Sequence, residues 1–383
     1  MAAAVGGRPR LSHSGNGVPQ REFPVGDFVG HAVAVRQRLS LTSHSQPQHT
    51  HCSHCSLHAN TQRLKFFQAM SYPLHPWYLK TIASVAVCCM VSACITGSGK
   101  TTTLSALLNQ MAAAGDRKII SIEDPVEYQI PGVSHLSVQR AAGNEKSDTT
   151  NPFASSMMAF LRMDPDVGMF GEIRDGLSAQ IAYTAIQTGH KLLTTVHATS
   201  ALGIISRLAS AQIGLVRTDI CRPEFISALV YQSLIPRNCA HCKIPAEKTM
   251  NASELLVYES LFFLDTSKLF VASDDGCPAC KPANLATIRG GHAGVKGVTV
   301  AAEIIQPDLQ LLEYLSKGED LKAFDYWRNL QTSSFSDSDM LGKPSWGHAL
   351  YEMSLGHIDP YHFQKVFGSP LRLKTSLSEL IHG

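Results

Sequence analysis

Acidic residues are scarce in the first quarter of the chain. Residues 1–95 hold only Glu22 and Asp27 against eight arginines and lysines, whereas beyond Lys100 the two signs are interspersed as in an ordinary soluble domain. Over all 383 residues the balance is nearly even, 33 Lys and Arg against 31 Asp and Glu for a net charge of +2. That lacks the basic excess of a polyanion-binding surface and gives no reason to expect a nucleic-acid partner. Long apolar runs are missing too. The best one, "TIASVAVCCMVSACI" from Thr81 to Ile95, falls short of the ~20 residues a spanning helix requires, and reads as a buried strand or the end of a non-native segment. The opening "MAAAVGGRPRLSHSG" has no apolar core of the kind that marks a secretory signal.

Periodicity is absent as well from residues 1 to about 80. Within them His49, His51, Cys52, His54, Cys55 and His58 could ligate a metal by composition, but their spacing matches zinc modules poorly, and disorder is the alternative reading. From Thr96 the pattern becomes regular. Thr101–Ala114 places Leu104, Leu107, Leu108 and Met111 on one helical face, and Gly115 stops it. Asn151–Met163 reads as a second helix broken by Asp164-Pro165, Gly176–Thr188 as a third, and another starts near Ser200. Between them "KIISI" (Lys118–Ile122), "VGMF" (Val167–Phe170) and "KLLTTV" (Lys191–Val196) read as strands. Strands alternating with helices imply an α/β core whose parallel sheet is covered on both faces.

Several residues sit where phosphate chemistry needs them. In "TGSGKT" Gly97 and Gly99 let backbone N–H groups turn inward on phosphate oxygens, Lys100 would reach the β- and γ-phosphates, and Thr101 would hold Mg²⁺. The helix that starts here adds the positive end of its dipole. One glycine is missing: the loop pattern asks for glycine at position 94, and the chain has Cys94. Glu123 and Asp124 follow one strand and Glu172 another, at the carboxyl ends that face the ligand crevice of an open parallel sheet. Hydrolysis needs one carboxylate to order Mg²⁺ and its waters and a second to orient the attacking water, roles that suit Glu123 and Glu172. His190 precedes a strand and His197 follows it, so His197 would project toward the crevice. Arg162, Arg174 and Arg207 could contact phosphate in a neighbouring site or pair with acids such as Asp164 and Asp175. Of the ten cysteines, Cys239, Cys242, Cys277 and Cys280 form two C-x-x-C knuckles, the set that closes a tetrahedral structural Zn²⁺ site; reduced cysteines in turns or a redox pair are the alternatives.

In order, "TGSGKTTTLSALL", "IISIEDPVEY", "LRMDPDVGMFGEIRD", "TGHKLLTTVHATSA" and the C-x-x-C pair resemble the Walker A, Asp box, Walker B, His box and tetracysteine motifs of the type II secretion and type IV pilus assembly ATPases, with a flavour of the thin-pilus branch. The likeness runs from Thr96 to about Lys281 and continues more weakly to the C-terminus. The fold this resemblance implies is α/β: a RecA-like P-loop NTPase core with a parallel sheet, followed by a zinc-binding insertion and a helical C-terminal region. The domains expected are 1–95 (aberrant), 96–236 (ATPase core), 237–283 (tetracysteine) and 284–383 (mostly helical). Carried over by position, Thr96, Gly97, Ser98, Gly99, Lys100, Thr101 and Thr102 bind nucleotide. Glu123, Glu172 and His197 serve catalysis, with His190 the partner of His197 in the His box. The implied cofactors are ATP, Mg²⁺ and Zn²⁺. The implied assembly is a homo-hexamer on the cytoplasmic face of the inner membrane, set against a polytopic platform protein, where ATP turnover drives pilin or pseudopilin assembly.

The family pattern has "GPTGSGKT" where this chain has "ACITGSGKT", and residues 1–95 show no sign of the family's preceding domain with its trans-acting arginines. The segment therefore reads as out-of-frame or fused sequence, or as a strongly diverged domain. A Cβ at position 94 costs ~1–3 kcal/mol if the turn needs positive φ, and lost arginine fingers cost roughly 10³–10⁵ in rate. Weak ATP binding and slow hydrolysis are expected, with a non-catalytic remnant that binds nucleotide and zinc as the alternative to a motor.

Overall fold

Apolar runs rich in Ile, Val and Leu become strands, and the amphipathic segments between them become covering helices, in a computed structural model that describes residues 89–93, 97–138, 152–280 and 293–373. The strands are β1 (Cys89–Ala93), β2 (Ile119–Glu123), β3 (Val133–Ser137), β4 (Val167–Phe170), β5 (Lys191–Val196), β6 (Ala228–Asn238), β7 (Ile244–Pro245), β8 (Phe270–Val271) and β9 (Val295–Ile305). Seven of them form one sheet in the order β3-β2-β4-β5-β1-β6-β9, and β7 and β8 pair separately. The first six run parallel, and β9 lies antiparallel along β6 at the edge.

Two expectations are refined here. The apolar run ending at Ile95 supplies β1, whose backbone pairs with β5 on one side and β6 on the other. A strand inside the sheet therefore precedes the boundary drawn at 95/96. Among the described residues of the C-terminal region, expected to be mostly helical, the 11-residue β9 precedes the helices. Its β-branched "VTVAAEII" suits a pleated surface better than a helix.

The α-helices are α1 (Lys100–Ala112), α2 (Pro152–Phe160), α3 (Gly176–Gln187), α4 (Gly203–Leu208), α5 (Arg217–Ile220), α6 (Ala252–Phe262), α7 (Leu309–Ser316), α8 (Asp320–Asn329), α9 (Ser345–Ser354) and α10 (Pro360–Phe367). Strand side chains alternate between two cores, as a period of two demands. Ile120, Ile122, Leu192 and Leu229 pack with α2, α3, α4 and α8. Ile119, Leu193, Ala228 and Val230 pack with Leu104, Leu107 and Leu108 of α1. A third cluster joins Tyr258 and Phe262 of the insertion to Leu350 and Met353 of α9 and Phe363 of α10. Full burial of each such side chain contributes roughly 1.5–3 kcal/mol, so the insertion is anchored by packing as well as by its cysteines. Asp175 caps α3 by accepting from the Ser178 N–H at 2.8 Å, which gives that acid a structural role instead of an arginine partner.

Candidate nucleotide and metal sites

The turn from β1 into α1 is built on two left-handed glycines, Gly97 with φ of 82° and Gly99 with φ of 83°, a conformation that strains any residue with a Cβ. Gly99 caps α1 and has no side chain to offer its first-turn N–H groups, so the positive end of the helix faces the loop. The loop is clamped from behind. Gln232, wholly buried on β6, donates its Nε2 to the Ser98 carbonyl at 2.6 Å and accepts from Thr103 Oγ1 at 2.9 Å. One amide thus ties the loop, the first turn of α1 and the neighbouring strand together. Motif reading missed Gln232. Its only signal was a long polar side chain inside the mostly apolar run "ALVYQSLI". Thr96, Cys94 and Ile95 lie outside the described residues.

Lys100, Thr101, Glu123, Glu172 and Arg174 line one open cleft at the carboxyl ends of the parallel strands. Close packing brings the two acids together: the Gly171 N–H donates to the Ile122 carbonyl at 2.9 Å, and Thr195 Oγ1 donates to the Gly171 carbonyl at 2.7 Å. A Cβ on Gly171 would sit 3.4 Å from the Ile122 oxygen and 3.5 Å from Glu123 Cα. Basic side chains flank Glu172. Arg174 donates Nε to Oε2 at 2.8 Å, with Nη2 also 2.8 Å from that oxygen, and His197 Nε2 lies 2.9 Å from Oε1. Arg174 and His197 are about half exposed, so these contacts orient Glu172 more than they stabilise the fold.

Other expected residues fall elsewhere. Thr102 is buried on α1 and does not line the cleft. His190 sits at the start of β5, with Nδ1 2.9 Å from Thr188 Oγ1 and its ring against Phe160. A six-residue strand separates it from His197, about 20 Å at the rise of extended chain, so the two are not one cluster. Arg207 donates to Gln212 Oε1 at 2.7 Å, away from the cleft.

The four cysteines come together after β6 and β8. All their sulfurs lie within 4.8 Å of one another, with Cys239–Cys277 and Cys242–Cys280 at 3.7 Å and Cys277–Cys280 at 3.8 Å. Tetrahedral Zn²⁺ with bonds of about 2.3 Å requires sulfurs ~3.8 Å apart, so both donor set and spacing fit that ion. The Cys277 backbone N–H draws the Cys280 thiol down, while burial and the neighbouring sulfurs push the Cys242 thiol up.

The chain matches the family model for type II/IV secretion system protein over residues 40–318. The match starts ahead of Thr96, where the likeness read from motifs begins. Over 230 residues the chain is 45% identical to the type II secretion system protein E of Klebsiella pneumoniae, covering 59% of this chain and 39% of that protein. Identity to the type II secretion system ATPase E of Vibrio cholerae is 32% over 252 residues, covering 64% and 43%. To the type IV pilus assembly ATPase PilB of Thermus thermophilus it is 33% over 227 residues, covering 58% and 22%. The chain thus spans less than half the length of these curated relatives.

Proposed function

The chain belongs to the type II/IV secretion system protein family, and on that premise we propose that it is an ATP-hydrolysing motor coupling turnover to pilin or pseudopilin assembly. The observation that carries this reading is the single cleft shared by Lys100, Thr101, Glu123 and Glu172. In the proposed mechanism the loop's backbone N–H groups and Lys100 bind the β- and γ-phosphates, and the Thr101 hydroxyl and Glu123 fix the position of Mg²⁺ and its waters. Bound Mg²⁺ supplies charge neutralisation on the phosphate oxygens. Glu172, oriented by Arg174 and His197, accepts a hydrogen bond from the attacking water and aims it at the γ-phosphorus. The bond to the β–γ bridging oxygen breaks, ADP leaves with the electron pair, the water's oxygen and one of its protons stay on the phosphate, and the other proton passes by way of Glu172 to solvent. A non-catalytic remnant is not favoured, because the lysine and both acids that turnover needs line one cleft, with His197 beside Glu172.

The tetracysteine cluster would hold Zn²⁺ with no open coordination position, a structural staple and not a catalytic centre. The proposed assembly is a homo-hexamer bound peripherally to the cytoplasmic face of the inner membrane through a polytopic platform protein. No helix among the described residues is long and apolar enough to cross a membrane, which is compatible with peripheral attachment. The test is Mg²⁺-dependent phosphate release by the purified chain. Turnover lost in Lys100→Ala and in Glu172→Gln, the latter still binding nucleotide, is the expected result. Absence of turnover in the zinc-loaded protein, or turnover that survives Lys100→Ala, overturns the motor.

A further inference from the structure

The acid at the end of β2 has a support of its own. Ser121, fully buried two residues before Glu123 and on the same strand face, donates its hydroxyl to Glu123 Oε1 at 2.7 Å. His135 lies beside Ser121 in the register of β3 on β2, and its Nδ1 is 2.7 Å from Ser121 Oγ and 3.3 Å from Glu123 Oε1. The far side of the ring is also occupied: the Ile130 N–H donates to Nε2 at 2.9 Å. These contacts admit one assignment of protons. Nε2 accepts, so Nδ1 carries the ring hydrogen. The serine hydroxyl has a single hydrogen, which goes to the carboxylate, and its oxygen therefore accepts from Nδ1.

We propose that His135, acting through Ser121, is a positioning residue for Glu123. It fixes Oε1 from behind the sheet edge and leaves Oε2 as the oxygen presented to the cleft. The imidazole works here as a fixed neutral donor. It is not a proton acceptor for the reaction, because the only nitrogen able to take a proton is already engaged by the Ile130 N–H. The two hydrogen bonds remove the rotational freedom of the carboxylate, so Glu123 does not reorient as Mg²⁺ and its waters arrive. His135 lies in none of the sequence motifs, and Ser121 sits within "IISIEDPVEY" with no role assigned to it. The inference rests on the motor reading for the role of Glu123, but the pairing of the three side chains stands without it.

The experiment compares the zinc-loaded wild-type chain with His135→Leu, His135→Asn and Ser121→Ala, in steady-state ATPase assays and in Mg²⁺ titrations of fluorescent ATP-analogue binding. His135→Leu should lower kcat about tenfold with KM for ATP changed by no more than about twofold, the signature of a misplaced catalytic group. His135→Asn, whose side-chain amide can occupy the Nδ1 position, should recover most of that loss. A merely structural role would lower thermal stability in all three variants without separating kcat from KM. Wild-type kcat in His135→Leu, or no recovery in His135→Asn, overturns the proposal. If the wild type itself does not hydrolyse ATP, the motor reading fails and the titration decides. The Mg²⁺ concentration for half-maximal nucleotide binding should then rise about tenfold in His135→Leu and return in His135→Asn, and an unchanged value overturns the inference. Should His135→Leu fail to fold, Ser121→Ala breaks the same link and is read the same way.

Discussion

Gln232 is the residue whose removal should separate holding the phosphate loop from contacting phosphate. It is wholly buried, and both ends of its amide are used, on the Ser98 carbonyl and the Thr103 hydroxyl. Gln232→Leu keeps most of the volume but leaves those two groups without this partner, at a cost of about 1–3 kcal/mol per buried group left unsatisfied. The expected outcome is a folded protein whose affinity for nucleotide falls about tenfold, because the left-handed turn at Gly97 and Gly99 loses the contact that holds its geometry. Titration calorimetry with ADP checks the affinity, and circular dichroism checks the fold. Wild-type affinity in a folded Gln232→Leu would mean that the glycines alone shape the loop.

At the scale of elements, the insertion carries the clearest prediction. Its helix α6 packs Tyr258 and Phe262 on α9 and α10, but the chain around both knuckles is turn and short strand. Metal binding should therefore supply much of its order. Cys239→Ser, or chelation, should abolish stoichiometric zinc and expose the loop between β6 and β8 to limited proteolysis, while α1 and the cleft stay protected. Acidification should release the metal as thiolates protonate, which metal analysis after dialysis across pH 5 to 8 would follow. How legible each element was depends on how local its cause is. Helix α1 was readable because Leu104, Leu107 and Leu108 recur at helical spacing, and β2, β4 and β5 because each is a short run rich in Ile, Leu, Val, Phe or Thr and buried on both faces. β3 was not, since "VSHLS" alternates weakly at the edge of the sheet and its pairing partner is set by register. The same non-locality hid the site's supports. Ser121 meets His135 fourteen residues on, and Gln232 meets Ser98 134 residues back, through strand pairings that no spacing encodes.

Across the whole molecule, the cleft and the C-terminal region are joined through a buried acid on β9. Glu303, 6% exposed, accepts the Ala201 N–H at 2.9 Å, just beyond the strand end that carries His197, and also the N–H of Ser345 at the start of α9. One carboxyl thus bonds both the loop after β5 and the first residue of α9. Burial raises its pKa from 4.5 to about 7, an effect that the two N–H donors and the Arg328 guanidinium only partly offset. The sign of the consequence follows from proton counts. Between pH 4.5 and about 7 the folded protein keeps a proton here that the unfolded chain has released. Raising pH through that window therefore favours unfolding, and this contribution to stability is full below the window and gone above it. Glu303→Gln cannot ionise and should remove that slope. Melting temperatures taken from pH 5 to 7.5 should fall more steeply for the wild type than for Glu303→Gln, with the two curves flattening relative to each other above neutrality. Parallel curves would show that Glu303 stays ionised throughout, its charge carried by Arg328, and the joint between cleft and C-terminal region would then be an ion pair in place of a neutral hydrogen-bonded acid.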